Sequence, residues 1–252
     1  MSTIHRLYNL LHTGNPGDVA YYVKHCQAGM TVLELGCGNG RVAAALMDAG
    51  CHVVGLDNDA QMRDGFLNAM SRFASPVPVH LSDMRSFDLG EKFHRIIIPF
   101  NGLLCMLSLD DVAKVFARAA AHLLDDGELI FDVYHVPDDF ENDGIEDEAY
   151  VDTAVIDDDG KRVEVYEKTL STGDPQRFDT SYIFVMNAGT AKEQQLEHTI
   201  AQRCLYVHQI RDLLHHAGFV VTAIRADFAE SDEAGGLTED TRQIAVHARL
   251  NR

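Results

Sequence analysis

The residues of this 252-residue chain whose types and spacing best suit chemistry are Glu34, Gly36, Gly38, Gly40 and Asp57. In the stretch Thr31-Val-Leu-Glu-Leu-Gly-Cys-Gly-Asn-Gly-Arg41, three alternating glycines leave bare backbone that can turn sharply and lie against a ligand. The apolar run Val32, Leu33 and Leu35 before them suits a buried parallel strand. Residues 42–49 after them suit a helix, whose first-turn N–H groups attract anionic or polar groups. Strand, glycine loop and helix together make a nucleotide-type binding element. Asp57 closes a second apolar run, His52-Val-Val-Gly-Leu-Asp57, roughly 20 residues beyond the loop, where an acidic side chain can accept the hydroxyl protons of a ribose. A turn acid, or the cap of a helix starting near Asp59, fits that residue as well.

The loop admits two readings. From Gly38, the spacing Gly38-x-Gly40-x-x-Ala43 fits a dinucleotide fingerprint. From Glu34, the pattern Glu34-x-Gly36-x-Gly38-x-Gly40 resembles motif I of the class I S-adenosylmethionine (SAM) methyltransferases.

The elements that must hold these residues follow an alternating order. Residues 5–12 have helical spacing, Gly14-Asn-Pro-Gly17 breaks it, and Asp18 is placed to cap a second helix through Tyr21, Tyr22 and Val23. After the loop helix, Gly50 ends the element, and strands follow at residues 52–57, 77–81 and 94–98. The last of these is apolar enough to be central. Pro99 sits where it must end, which puts Phe100 and Asn101 at the carboxyl edge, where open α/β sheets place ligands. A helix opens at Asp110-Asp111 and is closed by Asp125-Asp126-Gly127, before a fifth strand at residues 128–135. This alternation indicates a doubly wound parallel sheet. Residues 137–148 form an acidic stretch read as a solvated loop. Four strand-like runs at 150–156, 162–170, 177–186 and 197–206, joined by turn-rich segments, read as an inserted antiparallel meander. A helix at 208–216 and two strands joined without a helix complete the chain, so the last strand reverses.

Composition limits the partners. Thirty-nine acidic against 21 basic residues give a formal charge of −18, which disfavours nucleic acid and anionic membranes and favours a neutral or cationic small molecule. The acidity equally serves solubility. No run is apolar enough to cross a bilayer. Cys26, Cys37, Cys51, Cys105 and Cys204 are scattered and odd in number, as expected of reduced thiols in a cytoplasmic protein. His208, His215 and His216 share a helix without the rest of a ligand set, so no metal is expected.

The resemblance to class I methyltransferases extends over most of the chain, through Asp57, Asp83-Met84, Pro99-Phe-Asn101 and Arg203-Cys-Leu-Tyr206. It is greatest to small-molecule enzymes such as glycine and amino-sugar N-methyltransferases. It implies a Rossmann-like seven-stranded sheet with the last strand antiparallel, plus an antiparallel β meander after strand five. The length of 252 residues suits one domain with an insertion, divided as an N-terminal helical lid (1–29), a SAM-binding core (30–136), an insert that the resemblance implies covers the acceptor (137–206) and a core completion (207–252). Cofactor contacts implied are Tyr22, Glu34, Gly36, Cys37, Gly38, Asn39, Gly40, Arg41, Asp57, Asn58, Met62, Ser82, Asp83, Met84, Pro99, Phe100 and Asn101. Among these, Asn58 and Met62 flank the adenine, Asp83 meets its amino group and the Met84 backbone reads the ring edge. Tyr8, His12 and Tyr22 form part of the lid; packing of these aromatics onto the sheet is the alternative. Asn39 stands where Thr or Ser is common, and no Pro-Pro-Tyr follows the fourth strand, which argues against base methylation.

Methyl transfer from a sulfonium is an in-line displacement, which needs donor and acceptor held about 3–3.5 Å apart. A general base is needed only where the acceptor arrives protonated. His135 is preferred because its strand ends at the site edge, with Tyr134, Asn101 and His12 as further catalytic candidates and His198 in the insert. Each histidine equally suits a structural or surface position. The expected function is SAM-dependent methylation of a small-molecule N or O nucleophile, yielding S-adenosylhomocysteine (SAH), with a homodimer through the insert as a further expectation. The alternatives are an NAD(P)-dependent oxidoreductase, against which stands the absence of any tyrosine with a lysine four residues on, and a non-catalytic SAM-binding partner protein.

Overall fold

The computed structural model describes residues 2–137, 153–157, 159–229 and 236–251. The chain divides into two compact units, one of Gly14–Asp139 with Leu205–Arg252 and one of Met1–Thr13 with Phe140–Cys204.

The larger unit is built on a seven-stranded sheet. Its strands are β1 (Thr31–Leu35), β2 (His52–Asp57), β3 (Val79–Leu81), β4 (Phe93–Ile98), β5 (Leu123–Tyr134), β10 (Phe219–Ala226) and β11 (Gln243–Leu250), in the order β10-β11-β5-β4-β1-β2-β3. The first five are parallel, whereas β11 runs antiparallel to both β5 and β10. The sheet expected from the alternating pattern is the sheet observed.

Alternate residues of the central strands feed two apolar layers, as a pleated sheet covered on both faces requires. Val32, Ile97 and Ile130 pack with Tyr22 of α2 (Asp18–His25), Val42 and Leu46 of α3 (Arg41–Asp48) and Phe66 of α4 (Ala60–Met70). Leu33, Ile96, Ile98 and Phe131 pack with Phe116 of α5 (Leu109–His122) and Ile210 of α6 (Val207–His216). All of these side chains are buried.

Two local expectations shift. The first residue of α2 is Asp18 itself, with Gly17 in the capping position at φ 88°, because the Asp18 carboxylate is engaged elsewhere. The turn at Asp125-Asp126-Gly127 lies inside β5: Phe93 pairs with Leu123 and Arg95 with Glu128, so residues 124–127 bulge out of the ladder.

The smaller unit holds α1 (Thr3–Leu11) and a four-stranded antiparallel sheet in the order β6-β7-β8-β9, formed by Thr153–Ile156, Arg162–Ser171, Arg177–Met186 and Gln194–Arg203. This is the expected meander after strand five. Leu7 packs with Val155, Val163, Val165 and Phe184. The acidic stretch 138–148 and the start of the run at 150 fall outside the described residues.

Candidate active site

The glycine loop is fixed by backbone from β2. The N–H groups of Gly36 and Cys37 both donate to the Leu56 carbonyl, at 2.8 and 3.0 Å. Gly38 N–H donates to Asp57 Oδ2 at 2.8 Å, and Asp59 N–H to Asp57 Oδ1 at 2.9 Å. Asp59, not Asp57, caps α4, accepting from the Gln61 and Met62 N–H groups. Asp57 therefore joins the end of β2 to the loop and keeps lone pairs for further donors, since a carboxylate accepts about four. Burial raises its carboxyl above the usual range, while the Asp59 and Gly38 N–H groups oppose that rise.

Two glycines differ in what surrounds them. Gly40 (φ 85°) is packed: a Cβ there would lie 2.7 Å from Met70 Cε and 3.0 Å from Phe66 Cδ2. Gly38 (φ 52°) faces open space, with nothing within 4 Å of a Cβ. Bare backbone beside open volume is what close approach of a ligand requires.

Beside this loop stands Glu34, only 3% exposed. Burial pushes its carboxyl up to about 8, against the opposing pull of the Arg41 guanidinium and the Ala43 N–H. Glu34 Oε2 and Asn101 Oδ1 are buried without a hydrogen-bond partner among the described residues. Buried acceptors left this way are costly and call for a donor.

A residue that the sequence reading missed organises the opposite side. Asp132 on β5 is fully buried and accepts from Tyr22 Oη at 2.6 Å, Phe100 N–H at 2.8 Å, Asn101 N–H at 3.2 Å and Asn15 Nδ2 at 3.4 Å. Burial pushes its carboxyl up to about 6, although the Tyr22, Phe100 and Asn101 hydrogen bonds work to lower it. Its partners Phe100 and Asn101 are both left-handed, at φ 54° and 59°. Nearby, Asp18 (2% exposed) takes a two-pronged ion pair from Arg41, at 2.9 and 2.6 Å. The Arg41 guanidinium lies 5.5 Å from the Phe100 ring centroid, and a Cβ on Gly14 would overlap it. Gly14-Asn-Pro-Gly-Asp18 thus meets the loop through Arg41 and meets β5 through Asp132.

The other expected site residues fall as follows. Ser82 N–H donates to the Asp57 carbonyl at 2.9 Å, and Met84 Cε approaches Gly36, 3.5 Å from where its Cβ would be. The Asp83 carboxylate is held by Arg85 at 2.6 Å, which keeps its carboxyl below the usual range. Cys37 is buried, Asn39 half-buried and Asn58 exposed; Met62 lies in the first turn of α4, and Pro99 follows β4 directly. At the end of β5, Tyr134 is exposed, and His135, whose N–H donates to the Arg242 carbonyl at 2.9 Å, has a buried Nδ1 without a partner among the described residues. Tyr22 is fully buried within the larger unit.

Tyr8 and His12 belong to the smaller unit. There His12 lies 4.2 Å from the Tyr8 ring and 4.6 Å from the Tyr182 ring, centroid to centroid. Burial, then the charge of His198, lowers its imidazole to about 4. Among the described residues no group of three or more His, Cys, Asp or Glu is placed to hold a metal, and no helix is long and apolar enough to cross a membrane.

The sheet order separates the two readings of the loop. The dinucleotide-binding sheet has the order 3-2-1-4-5-6, whereas in this chain the antiparallel β11 is inserted between β5 and β10. Residues 32–127 match a family described as a methyltransferase domain. The chain is a class I, SAM-dependent methyltransferase. A Streptomyces fradiae dTDP-3-amino-3,6-dideoxy-alpha-D-glucopyranose N,N-dimethyltransferase is 26% identical over 189 residues, 71% of this chain and 70% of the relative. A SAM-dependent methyltransferase from Clostridium acetobutylicum superposes with TM-score 0.78 at 16% identity, covering 99% of this chain and 97% of that one. A SAM-bound amino pentose methyltransferase from Micromonospora echinaspora does so with TM-score 0.74 at 17% identity, covering 98% and 97%. The dinucleotide reading is set aside.

Proposed function

We propose that this methyltransferase N-methylates an amino sugar. The observation that carries the donor half is the pairing of Asp57 with the Gly38 N–H at an open stretch of glycine backbone, beside the unpartnered Oε2 of Glu34. In this reading Asp57 accepts the ribose hydroxyls, Gly36 and Gly38 let the backbone lie against the donor, and Gly40 lets the loop pack onto Phe66 and Met70. Glu34 and Asn101 offer their unpartnered oxygens to N–H donors of the ligand. Ser82, Asp83 and Met84, together with Asn58 and Met62, line the adenine side. When bound, SAM supplies an electrophilic methyl group on a positively charged sulfur.

The acceptor half rests on the relatives. The Streptomyces fradiae enzyme is named for an amino sugar, as are a Saccharopolyspora spinosa relative 27% identical over 142 residues and the amino pentose methyltransferase. An amine acceptor attacks through its nitrogen lone pair and afterwards carries a proton it must shed. His135, at the end of β5 with an unpartnered Nδ1, is the residue assigned to take it.

The test is direct. Purified protein is incubated with SAM and a panel of nucleotide-linked sugars bearing an amine at different ring positions, beside matched hydroxyl sugars. Mass spectrometry then reads the gain of one or two methyl groups. Methylation confined to the amino sugars supports the proposal. Methylation of the hydroxyl sugars, or of none while SAM still binds, refutes it.

A further inference from the structure

Asp132 places a carboxylate inside an apolar strand, fully buried, against four donors from three separate parts of the chain: Asn15, Tyr22 and the backbone of Phe100 and Asn101. A buried carboxylate is costly unless its lone pairs are filled, and a core that needed only stability would hold an apolar residue there. Phe100 and Asn101 are consecutive residues in the left-handed region without being glycine. Such backbone costs on the order of 1–3 kcal/mol per residue and persists only where its surroundings over-determine it. The two N–H groups of this strained pair both end on Asp132. Asn101, held there, has its Oδ1 buried and unpartnered.

We infer that Asp132 is a positioning residue: it fixes Phe100 and Asn101 in their left-handed conformation before any ligand arrives, and so sets the Asn101 carbonyl and the Phe100–Arg41 contact that border the donor site. This rests on the donor site proposed above. Asp132 itself touches no ligand; it acts through the loop after β4. The cost of ordering that loop is met during folding rather than on binding, which strengthens donor binding.

The experiment measures SAH binding by calorimetry in wild type, Asp132→Asn, Phe100→Gly and the double variant, with thermal unfolding followed in parallel. Asp132→Asn is expected to weaken SAH binding by about tenfold, the equivalent of one charge-assisted hydrogen bond. With glycine at position 100, which takes a positive φ without strain, the same substitution is expected to weaken binding by much less. A purely structural Asp132 would lower the unfolding temperature without that coupling. Binding of SAH by Asp132→Asn within about twofold of wild type, or an undiminished effect in the Phe100→Gly background, overturns the inference; a factor of two is under 0.5 kcal/mol. Should Asp132→Asn not fold, amide exchange in the wild type decides: the Phe100 and Asn101 amides must be protected in the ligand-free protein, and free exchange there overturns the inference. Wild type that fails to bind SAH overturns the donor site and this inference together, whereas wild type that binds while the variant is unaffected overturns this inference alone.

Discussion

Tyr22 and Asp132 lie 110 residues apart in sequence, and the Tyr22 hydroxyl donates to Asp132 Oδ1 at 2.6 Å with neither side chain reached by solvent. The bond ties α2 to the middle of the sheet. Burial, then the charge and hydrogen bond of Asp132, raise the Tyr22 phenol well above its ordinary range, so it stays a donor at every working pH. Tyr22→Phe keeps the ring and removes one charge-assisted bond, for an expected loss of about 1.5–3 kcal/mol of stability. Removing that donor also moves the Asp132 carboxyl further above about 6. A carboxyl raised in the fold destabilises progressively as pH climbs from the unfolded value, about 3.9, through its folded value. The penalty should therefore be larger at pH 7 than at pH 4. Urea midpoints of wild type and variant at both pH values, followed by circular dichroism because the chain has no tryptophan, check the sign.

Gly38 and Gly40 share a positive φ but not their surroundings, and alanine should separate them. At Gly40 an added methyl meets Met70 and Phe66, so strain and overpacking add, costing about 2–4 kcal/mol. At Gly38 the methyl enters open space, and only the backbone strain of about 1–2 kcal/mol remains. SAM affinity should respond in the opposite order. Gly38→Ala fills volume that the proposed donor would occupy and should weaken SAM binding by more than tenfold relative to its small stability loss, a difference of about 1.4 kcal/mol. Calorimetric SAM titration beside thermal unfolding would read both. Equal SAM affinity in Gly38→Ala and wild type would remove the donor from that side of the loop.

The contrast between the loop and Asp132 shows what a sequence reveals. Glycine spacing, the strand before it and the acid about 20 residues on are local patterns tied to one supersecondary unit, so the order of strand, loop, helix and strand from Thr31 to Asp57 is legible in the sequence. Asp132 sits in Leu-Ile-Phe-Asp-Val-Tyr134. A charge in the middle of an apolar strand was the available signal, since such groups are buried only with partners. The partners come from residues 15, 22, 100 and 101, and nothing in the order of residues links them. The turn signal at Asp125-Asp126-Gly127 was physically sound but misplaced: the chain does leave the ladder there, as a bulge inside β5 rather than as a break between elements.

Glu34 should make donor binding release a proton. In the free protein burial holds its carboxyl at about 8, so at pH 7 it is mostly protonated. A cationic ligand beside it favours the ionised form and lowers that value. Binding at pH 7 then expels part of a proton, and SAM affinity rises as pH climbs towards 8 and above. Calorimetric titration at pH 7 in buffers of different ionisation enthalpy would reveal the release as a buffer-dependent heat. Glu34→Gln should abolish both the buffer dependence and the pH dependence. Persistence of either in the Gln variant would place the titrating group elsewhere.

A second buried polar group, distinct from the donor site, should govern acid unfolding. Tyr21 Oη and His247 Nε2 are 2.5 Å apart, and His247 Nδ1 lies 3.5 Å from Glu128 Oε1. Arg249 and Arg95 approach the same carboxylate, at 3.3 and 3.6 Å. Burial alone would raise the Glu128 carboxyl, yet the His247 hydrogen bond and the charges of His247, Arg249 and Arg95 outweigh it and hold the group at about 2. A depressed carboxyl contributes stability that is complete above its unfolded value, about 4.3, and is lost as pH falls to the folded one. Glu128→Gln leaves the surrounding cations without their counter-charge, which for a buried pair costs about 3–5 kcal/mol. That difference from wild type should be full at pH 6 and shrink steadily between pH 4.5 and 2, as wild type protonates the same group. Urea unfolding of both proteins across this range tests the assignment, and a gap that stays constant down to pH 2 would mean that Glu128 is not ionised in the folded protein.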